Sequence, residues 1–339
     1  MTTKKQQNWL VASVKPVMPG LLLAVVVAMA SRFVAVSYGG PVMLFALLFG
    51  MAFNFLAKDE KCMPGIALAS KTILRIGVAL LGVQLTLGDL SALGAPVVLL
   101  IVAGVIVTIS VGWLIGRAFK LSTSLAVLSA GAVAICGASA ALAISAVLPR
   151  GEGRERNTIL VVAGVTALST MAMIFYPPVA HYLGLSDIDA GIFFGATIHD
   201  VAQVIGAGYA VSDTAGETAA IVKLMRVAML VPVVLVIGQL FKKDRCEADA
   251  EAKTPLLPAF LVGFVVLVVV NSLGFVAAPV VIGLTEVSRW CLVIAVAALG
   301  VKTNLGEVFS VGPRPLMAMV AQTLLLMIFS LIGISFLIN

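Results

Sequence analysis

Charge is what this sequence has least of. Lys and Arg number 22 and Asp and Glu 16 in 339 residues, or 11% of the chain, against roughly 25% in a soluble domain. Histidine occurs twice, and Phe, Trp and Tyr together make up 7%. The four cysteines, Cys62, Cys136, Cys246 and Cys291, show no CxxC spacing, so neither a disulfide framework nor a zinc site is indicated. There is no HExxH motif and no segment that gathers carboxylates, which removes the usual basis for a membrane-embedded metalloenzyme. These shortages exclude an ordinary soluble enzyme, a disordered protein and a nucleic-acid binder. The net charge of +6 does not reopen the last class, because the basic residues lie between apolar runs and not along one face.

What fills the chain is apolar: 61% of it is hydrophobic. A membrane helix needs about 20 such residues. That window gives eleven candidate segments: 19–37, 41–57, 71–88, 95–116, 122–148, 157–180, 190–211, 219–241, 257–280, 288–304 and 315–338. The fold expected is an all-α polytopic membrane protein of about 9–11 segments, one integral membrane domain whose main partner is the lipid bilayer. The longest polar stretch, 242–254, is a surface loop. Ala28-Met29-Ala30 resembles a signal-peptide cleavage site, but the run before and through it is long enough to span.

Lys and Arg in short loops set orientation. Lys4, Lys5 and Lys15 place the N-terminus in the cytoplasm; Lys58 with Lys61, Arg117 with Lys120, and the Lys242, Lys243, Arg245 cluster fall on the same side. Segment 122–148 admits two paths. A full crossing puts Arg150, Arg154 and Arg156 outside, against the rule. A dip and return keeps them inside and makes 190–211 a dip from the opposite side. The topology from 219 onward is the same either way.

An internal repeat runs through the chain. Val78–Asp89 (VALLGVQLTLGD) matches Val296–Glu307 (VAALGVKTNLGE) at an offset of 218, with Ser70/Ser288, Lys71/Arg289 and Gly94/Gly312 as flanking pairs. The first copy runs outward and the second inward, the pattern of inverted repeats in secondary transporters. The first repeat covers about 41–150 and the second about 190–339. The small-residue segment follows the first copy but the second interrupted segment precedes the second, so the halves are not simple duplicates.

Two segments carry the chemistry. In 122–148 the run Gly131–Ala141 is almost entirely small, and an interruption at Cys136-Gly137 would aim free N–H groups of Gly137, Ala138 and Ser139 at a cavity, an anion site with the Ser139 hydroxyl as an added donor. The alternative is a continuous, tightly packed helix. Cys136 is a small packing residue in either case. In 190–211, His199 and Asp200 are costly in an apolar segment and point to function. His199 and Gln203, four apart, would share a helix face; a structural polar lock is the other account. Lys223 and Arg226 either snorkel to the interface or form a cationic wall for an anion, or pair with Asp200. Arg75 is interfacial or deeper, Gln84 and Asn304 are candidate polar gates, Asn54 a helix–helix bond, and His181 superficial.

At these residues the chain resembles a known family. The run Ile135-Cys136-Gly137-Ala138-Ser139-Ala140 with Pro149, the run His199–Val204 with Gly208, and Val222–Val227 with Pro232 look like the YeiH family of bacterial inner-membrane proteins, a family named for sulfate export and grouped with the cation/proton antiporters and anion transporters. The resemblance covers most of the chain from about residue 40. It implies a two-domain, dimeric transporter with inverted repeats, and interrupted helices that cross rather than re-enter. The expected function is export of a small anion, sulfate or sulfite-like, held between Cys136–Ser139 and His199–Gln203. Lys223 or Arg226 would balance its charge, and no cofactor is expected beyond a coupling ion, H+ or Na+. An anion channel is the alternative, or a membrane protein with a structural or regulatory role.

Overall fold

The computed structural model describes residues 17–38, 41–86, 88, 93–149, 154–241, 259–303 and 313–338. The ends of the two repeat copies, Asp89 and Asn304 to Glu307, and the loop 242–254 lie outside them. The described residues are helical, without strands: α1 Met18–Tyr38, α2 Val42–Ala52, α3 Met63–Leu81, α4 Gly94–Ala118, α5 Thr123–Ala134, α6 Ala138–Val147, α7 Arg154–Tyr182, α8 Asp187–Thr197, α9 Val201–Val211, α10 Asp213–Ala228, α11 Leu230–Leu240, α12 Ala259–Ser272, α13 Ala278–Lys302 and α14 Pro313–Gly333. Seven stretches are long and apolar enough to cross a membrane: α1, α3, α4, α7, α10 with α11, α13 and α14. The protein is thus an all-α, multi-pass membrane protein. The third span begins at Met63, eight residues before the expected start; a π turn at Ala69–Ile73 carries the helix through the polar Ser70-Lys71-Thr72 that read as its edge.

The chain divides into two compact units. One comprises residues Met1–Leu87 and Val262–Asn304, the other Gly88–Leu261 and Leu305–Asn339. Residues of both expected repeats, about 41–150 and about 190–339, fall in each unit. In the first, α3 and α13 run antiparallel: the Ser288 hydroxyl donates to the Gly77 carbonyl at 2.7 Å, while Ala69 packs at the other end with Ala298. Gly50 and Gly300 bring α2 and α13 into backbone contact, and a Cβ at Gly50 would lie 2.9 Å from the Gly300 Cα. Asn54 makes the expected helix–helix bond, donating to the Val301 carbonyl at 2.8 Å. Arg75 is exposed.

The second unit holds both small-residue segments, and each folds as a hairpin. Ser122 caps α5 by accepting from the Leu125 N–H. The helix stops at Ala134, and the chain reverses through Gly137 at φ +61°, a conformation open mainly to glycine. The return is visible at both ends. Gly131 on α5 lies against Ile144 on α6, and Ser122, Ser124 and Leu128 share a pocket with Leu148, Pro149 and Arg154. Segment 122–148 therefore re-enters; the crossing implied by the family resemblance is not what forms. The 12 and 10 residues of α5 and α6 rise about 15–18 Å, half of a hydrocarbon core of about 30 Å, so the tip reaches the middle.

The second hairpin is α8 and α9. A Cβ on Gly191, near the start of α8, would lie 2.6 Å from the Thr218 Cβ; one on Gly208, near the end of α9, would lie 2.7 Å from the Gly216 Cα. Both outer ends thus meet the first turns of α10. The far end of that span marks the opposite side: a Cβ on Gly238 of α11 would lie 3.7 Å from the Val147 Cβ, at the mouth of the first hairpin. The hairpins enter from opposite sides and meet halfway along the 28-residue span Asp213–Leu240. Pro232 lacks an N–H for the Ala228 carbonyl, which is why that span is broken at Met229.

The hairpins fix which side each mouth faces. In a chain cleared of its native cysteines, Thr123→Cys and Pro149→Cys will label from one side of the membrane and Asp187→Cys and Thr214→Cys from the other. A crossing segment would instead place Thr123 and Pro149 on opposite sides.

Candidate functional site: the meeting point of two hairpins

The two tips, 135–137 and 198–200, are a physical problem before they are a site. Helices α5 and α8 end at mid-membrane, where their last carbonyls have no helical partner and no bulk water. Lys223 and Arg226, on consecutive turns of α10, supply the missing donors. The Lys223 ammonium donates to the Ile135 carbonyl at 2.8 Å and the Ile198 carbonyl at 2.9 Å, one from each hairpin. The Arg226 guanidinium has five N–H groups. Nε donates to Ala134 at 3.2 Å, Nη1 to Gly195 at 3.0 Å and Ile198 at 3.2 Å, and Nη2 to Val133 at 3.0 Å and Ala134 at 2.8 Å. Lys223 is 0% exposed and Arg226 1%.

That geometry corrects two expectations for the cations. They do not snorkel, because both are fully buried at mid-span. Nor do these donor groups line a cavity as a cationic wall: they are committed to main-chain carbonyls of the tips, and their charge acts on the site at a distance.

The N-termini of α6 and α9 also begin at the tips, and these are the parts that reach open space. Cys136 and Gly137 are buried in the turn, Ala138 is half-buried and Ser139 exposed; Asp200 and Val201 are half-buried. Asp200 caps α9, its carboxylate accepting from the Ala202 N–H at 2.8 Å, while its own N–H donates to the Ser169 hydroxyl at 2.9 Å. A Cβ at Gly137 would lie 3.4 Å from the His199 Cβ, so the tips touch there.

His199 and Gln203 do not form the expected pair on one helix face. The helix starts only after Asp200, so His199 stands in the extended turn. Its Nε2 lies 3.0 Å from the Thr323 hydroxyl on α14. Gln203, fully buried, donates instead to the Thr170 hydroxyl on α7 at 2.8 Å. His181 is exposed, as expected. Gln84 belongs to the other unit, with its amide nitrogen buried and unpartnered.

The sequence passed over the supports. Gln322 and Thr323 are adjacent on α14. Gln322 donates to the Gly112 carbonyl on α4 at 2.8 Å and to the Ser129 hydroxyl on α5 at 3.1 Å. One helix therefore holds the first hairpin through Gln322 and the second through Thr323. The available signal was a Gln-Thr pair in the middle of an apolar run, and neither residue has a charge to draw the eye.

A Lys or Arg removed from this centre leaves carbonyls stranded, at about 1–3 kcal/mol each. Arg226→Met should lower the thermal midpoint of the purified protein by more than Lys223→Met, since Arg226 holds more carbonyls. Equal, unshifted midpoints in both variants would show that the tips do not depend on these cations.

The chain is similar to proteins that are themselves named as membrane proteins. The family model described as conserved hypothetical protein 698 matches residues 19–319. A UPF0324 membrane protein of Chlorobaculum tepidum is 51% identical over 310 residues, covering 91% of this chain and 86% of its own. One of Rhizobium meliloti is 50% identical over 323 residues, covering 94% and 93%. The UPF0324 membrane protein TauZ of Paracoccus denitrificans is 47% identical over 323 residues, covering 93% and 94%. No solved structure matches. With opposed hairpins fixed on a span whose Lys-Arg pair lies in the matched region, the chain belongs to the UPF0324 family of membrane proteins, that of conserved hypothetical protein 698.

Proposed function

We propose that the protein is a secondary transporter for a small anion, bound where the first turns of α6 and α9 converge. The observation that supports this most is which ends of the broken helices are neutralised. Lys223 and Arg226 hold the carbonyl ends of α5 and α8. The N–H ends of α6 and α9 remain toward the open side, where Ser139 is exposed. Each helix end carries roughly half a charge, so the four ends cancel to first order. Two cations against one carboxylate, Asp200, then leave a net positive site. An oxyanion is the ligand that such a site favours, with backbone N–H groups and the Ser139 hydroxyl as donors.

Hairpins reaching the centre from opposite sides suit a carrier, because each tip separates the ligand from one aqueous side. Sulfate or sulfite is the substrate class the family resemblance suggests, with His199 and Asp200 as the proton- or ion-coupling pair. We propose no catalytic role for this junction. Arg117, Lys120 and Arg154 lie at the mouth of the first hairpin, and the positive-inside rule makes that side cytoplasmic. Lys4, Lys5 and Lys15 make the N-terminus cytoplasmic by the same rule, and we take the protein to be a dimer in a bacterial inner membrane.

Flux of labelled sulfate and sulfite into proteoliposomes, with imposed pH gradients, tests the proposal. The expected result is saturable flux with counterflow, altered by the gradient and reduced about tenfold or more by Ser139→Ala and by His199→Ala, the scale of a lost hydrogen bond to a charged group. Flux without saturation or counterflow would mark a channel. Absence of anion- and pH-dependent flux, with His199→Ala unchanged, would overturn the assignment.

A further inference from the structure

The buried surroundings of His199 contain more information than its position at a hairpin tip. The ring is 1% exposed, with Nε2 3.0 Å from the Thr323 hydroxyl oxygen. That hydroxyl has one proton, and it has another buried acceptor in reach: the Met319 carbonyl, one turn back on α14, at 2.8 Å. With the threonine proton on Met319, Thr323 accepts, and Nε2 must be the protonated ring nitrogen. The other nitrogen, Nδ1, is buried with no hydrogen-bond partner among the described residues. The opposite tautomer would put an N–H at that position. Orphaned buried N–H groups are rarer than under-used acceptors, so both considerations select Nε2–H.

We infer that Thr323 is a positioning residue that fixes His199 in the Nε2–H tautomer, with Nδ1 left unprotonated and buried at the hairpin junction. Where it concerns the pH profile of flux the inference rests on the transporter reading above; as a statement about tautomer and support it does not. The groups around the ring are Lys223 and Arg226 on α10, the adjoining Asp200, and the Val133 carbonyl of the facing hairpin, which accepts from Arg226 at 3.0 Å. Cys136 lies in the facing tip, and the two cations are committed to carbonyls. Nδ1 is therefore not already engaged by an ion pair. Thr323 also stands next to Gln322, which holds the first hairpin through Ser129. The same turn of α14 thus orients the ring and secures the tip opposite it.

The chain has only two histidines, so the inference is directly observable. Protein labelled with 15N-histidine, reconstituted in lipid, gives ring-nitrogen signals from His181 and His199 alone, and His181→Gln assigns them. The wild type should show His199 with a protonated Nε2 and an unprotonated Nδ1 at neutral pH. Thr323→Ser, which keeps the hydroxyl, should retain that pattern. Thr323→Val, which removes the acceptor, should lose it and give the other tautomer or a mixture. In flux, Thr323→Val should move the pH profile while Thr323→Ser leaves it in place. A wild-type Nδ1–H signal, or an unchanged spectrum in Thr323→Val, overturns the positioning role whatever the flux shows. The expected spectra with a pH-independent flux would uphold Thr323 as the support for the tautomer and reject any link between that tautomer and transport.

Discussion

Everything in the second unit is arranged around carbonyl oxygens that have nowhere else to go. A helix that stops inside a membrane strands its last acceptors in a medium that cannot solvate them, at a cost of several kcal/mol per group. This chain stops two helices at the same depth and meets both sets of acceptors with one Lys and one Arg. Two cations three residues apart would ordinarily repel and be expelled from such a place. Here the carbonyl ends supply the opposing partial charge, so each unfavourable element removes the cost of the other. The division of labour follows residue chemistry: the fork of Arg226 spreads over carbonyls of both hairpins, whereas the compact ammonium of Lys223 bridges one carbonyl from each.

From that pairing comes the polarity of the site. The acceptor ends are consumed internally, and the donor ends of α6 and α9 are what the junction presents. Asp200 tempers the positive excess while capping α9. The first unit buries no Lys or Arg fully among its described residues, though Arg289 on α13 is half-buried. Its helices pack through small residues, as at Gly50 against Gly300 and Ser288 against Gly77, and its cations Arg75 and Arg32 lie at the surface, the latter 2.9 Å from Glu286. The contrast is between a unit that packs closely and one that holds broken backbone at its centre.

Much of this could be read in the amino acids. Long apolar runs gave the spans, and the small-residue run at 131–141 and the His-Asp pair at 199–200 marked the two interruptions. Path was the harder matter. A run of 27 residues is long enough to cross or to go in and out, and periodicity does not distinguish them; Arg150, Arg154 and Arg156 after it were the better guide, and the crossing favoured by resemblance was misleading. The partners of Lys223 and Arg226 were hidden for a different reason. Backbone carbonyls leave no trace in sequence, so a side chain that binds them looks like one waiting for a substrate. Gln322 and Thr323 were hidden because an uncharged pair in an apolar helix resembles tolerated polarity, and only the third dimension brings Ser129 and His199 beside them.

The mutual dependence of the cations and the hairpins also bears on how the protein is made. Neither arm of a hairpin is long enough to be inserted as a span by itself, and Lys or Arg at the centre of a helix opposes insertion by roughly 2.5–3.5 kcal/mol each. The first hairpin leaves the ribosome some 65 residues before the span that will anchor its tip. Until α10 arrives, that hairpin has to wait at the membrane surface or in the insertion machinery, and α10 in turn enters lipid fully only when both hairpins are there to receive its charges. Biogenesis of this unit is therefore a late, concerted event, not a strand-by-strand threading, and the intermediate exposed to quality-control proteases is one in which its most apolar short helices are not yet buried.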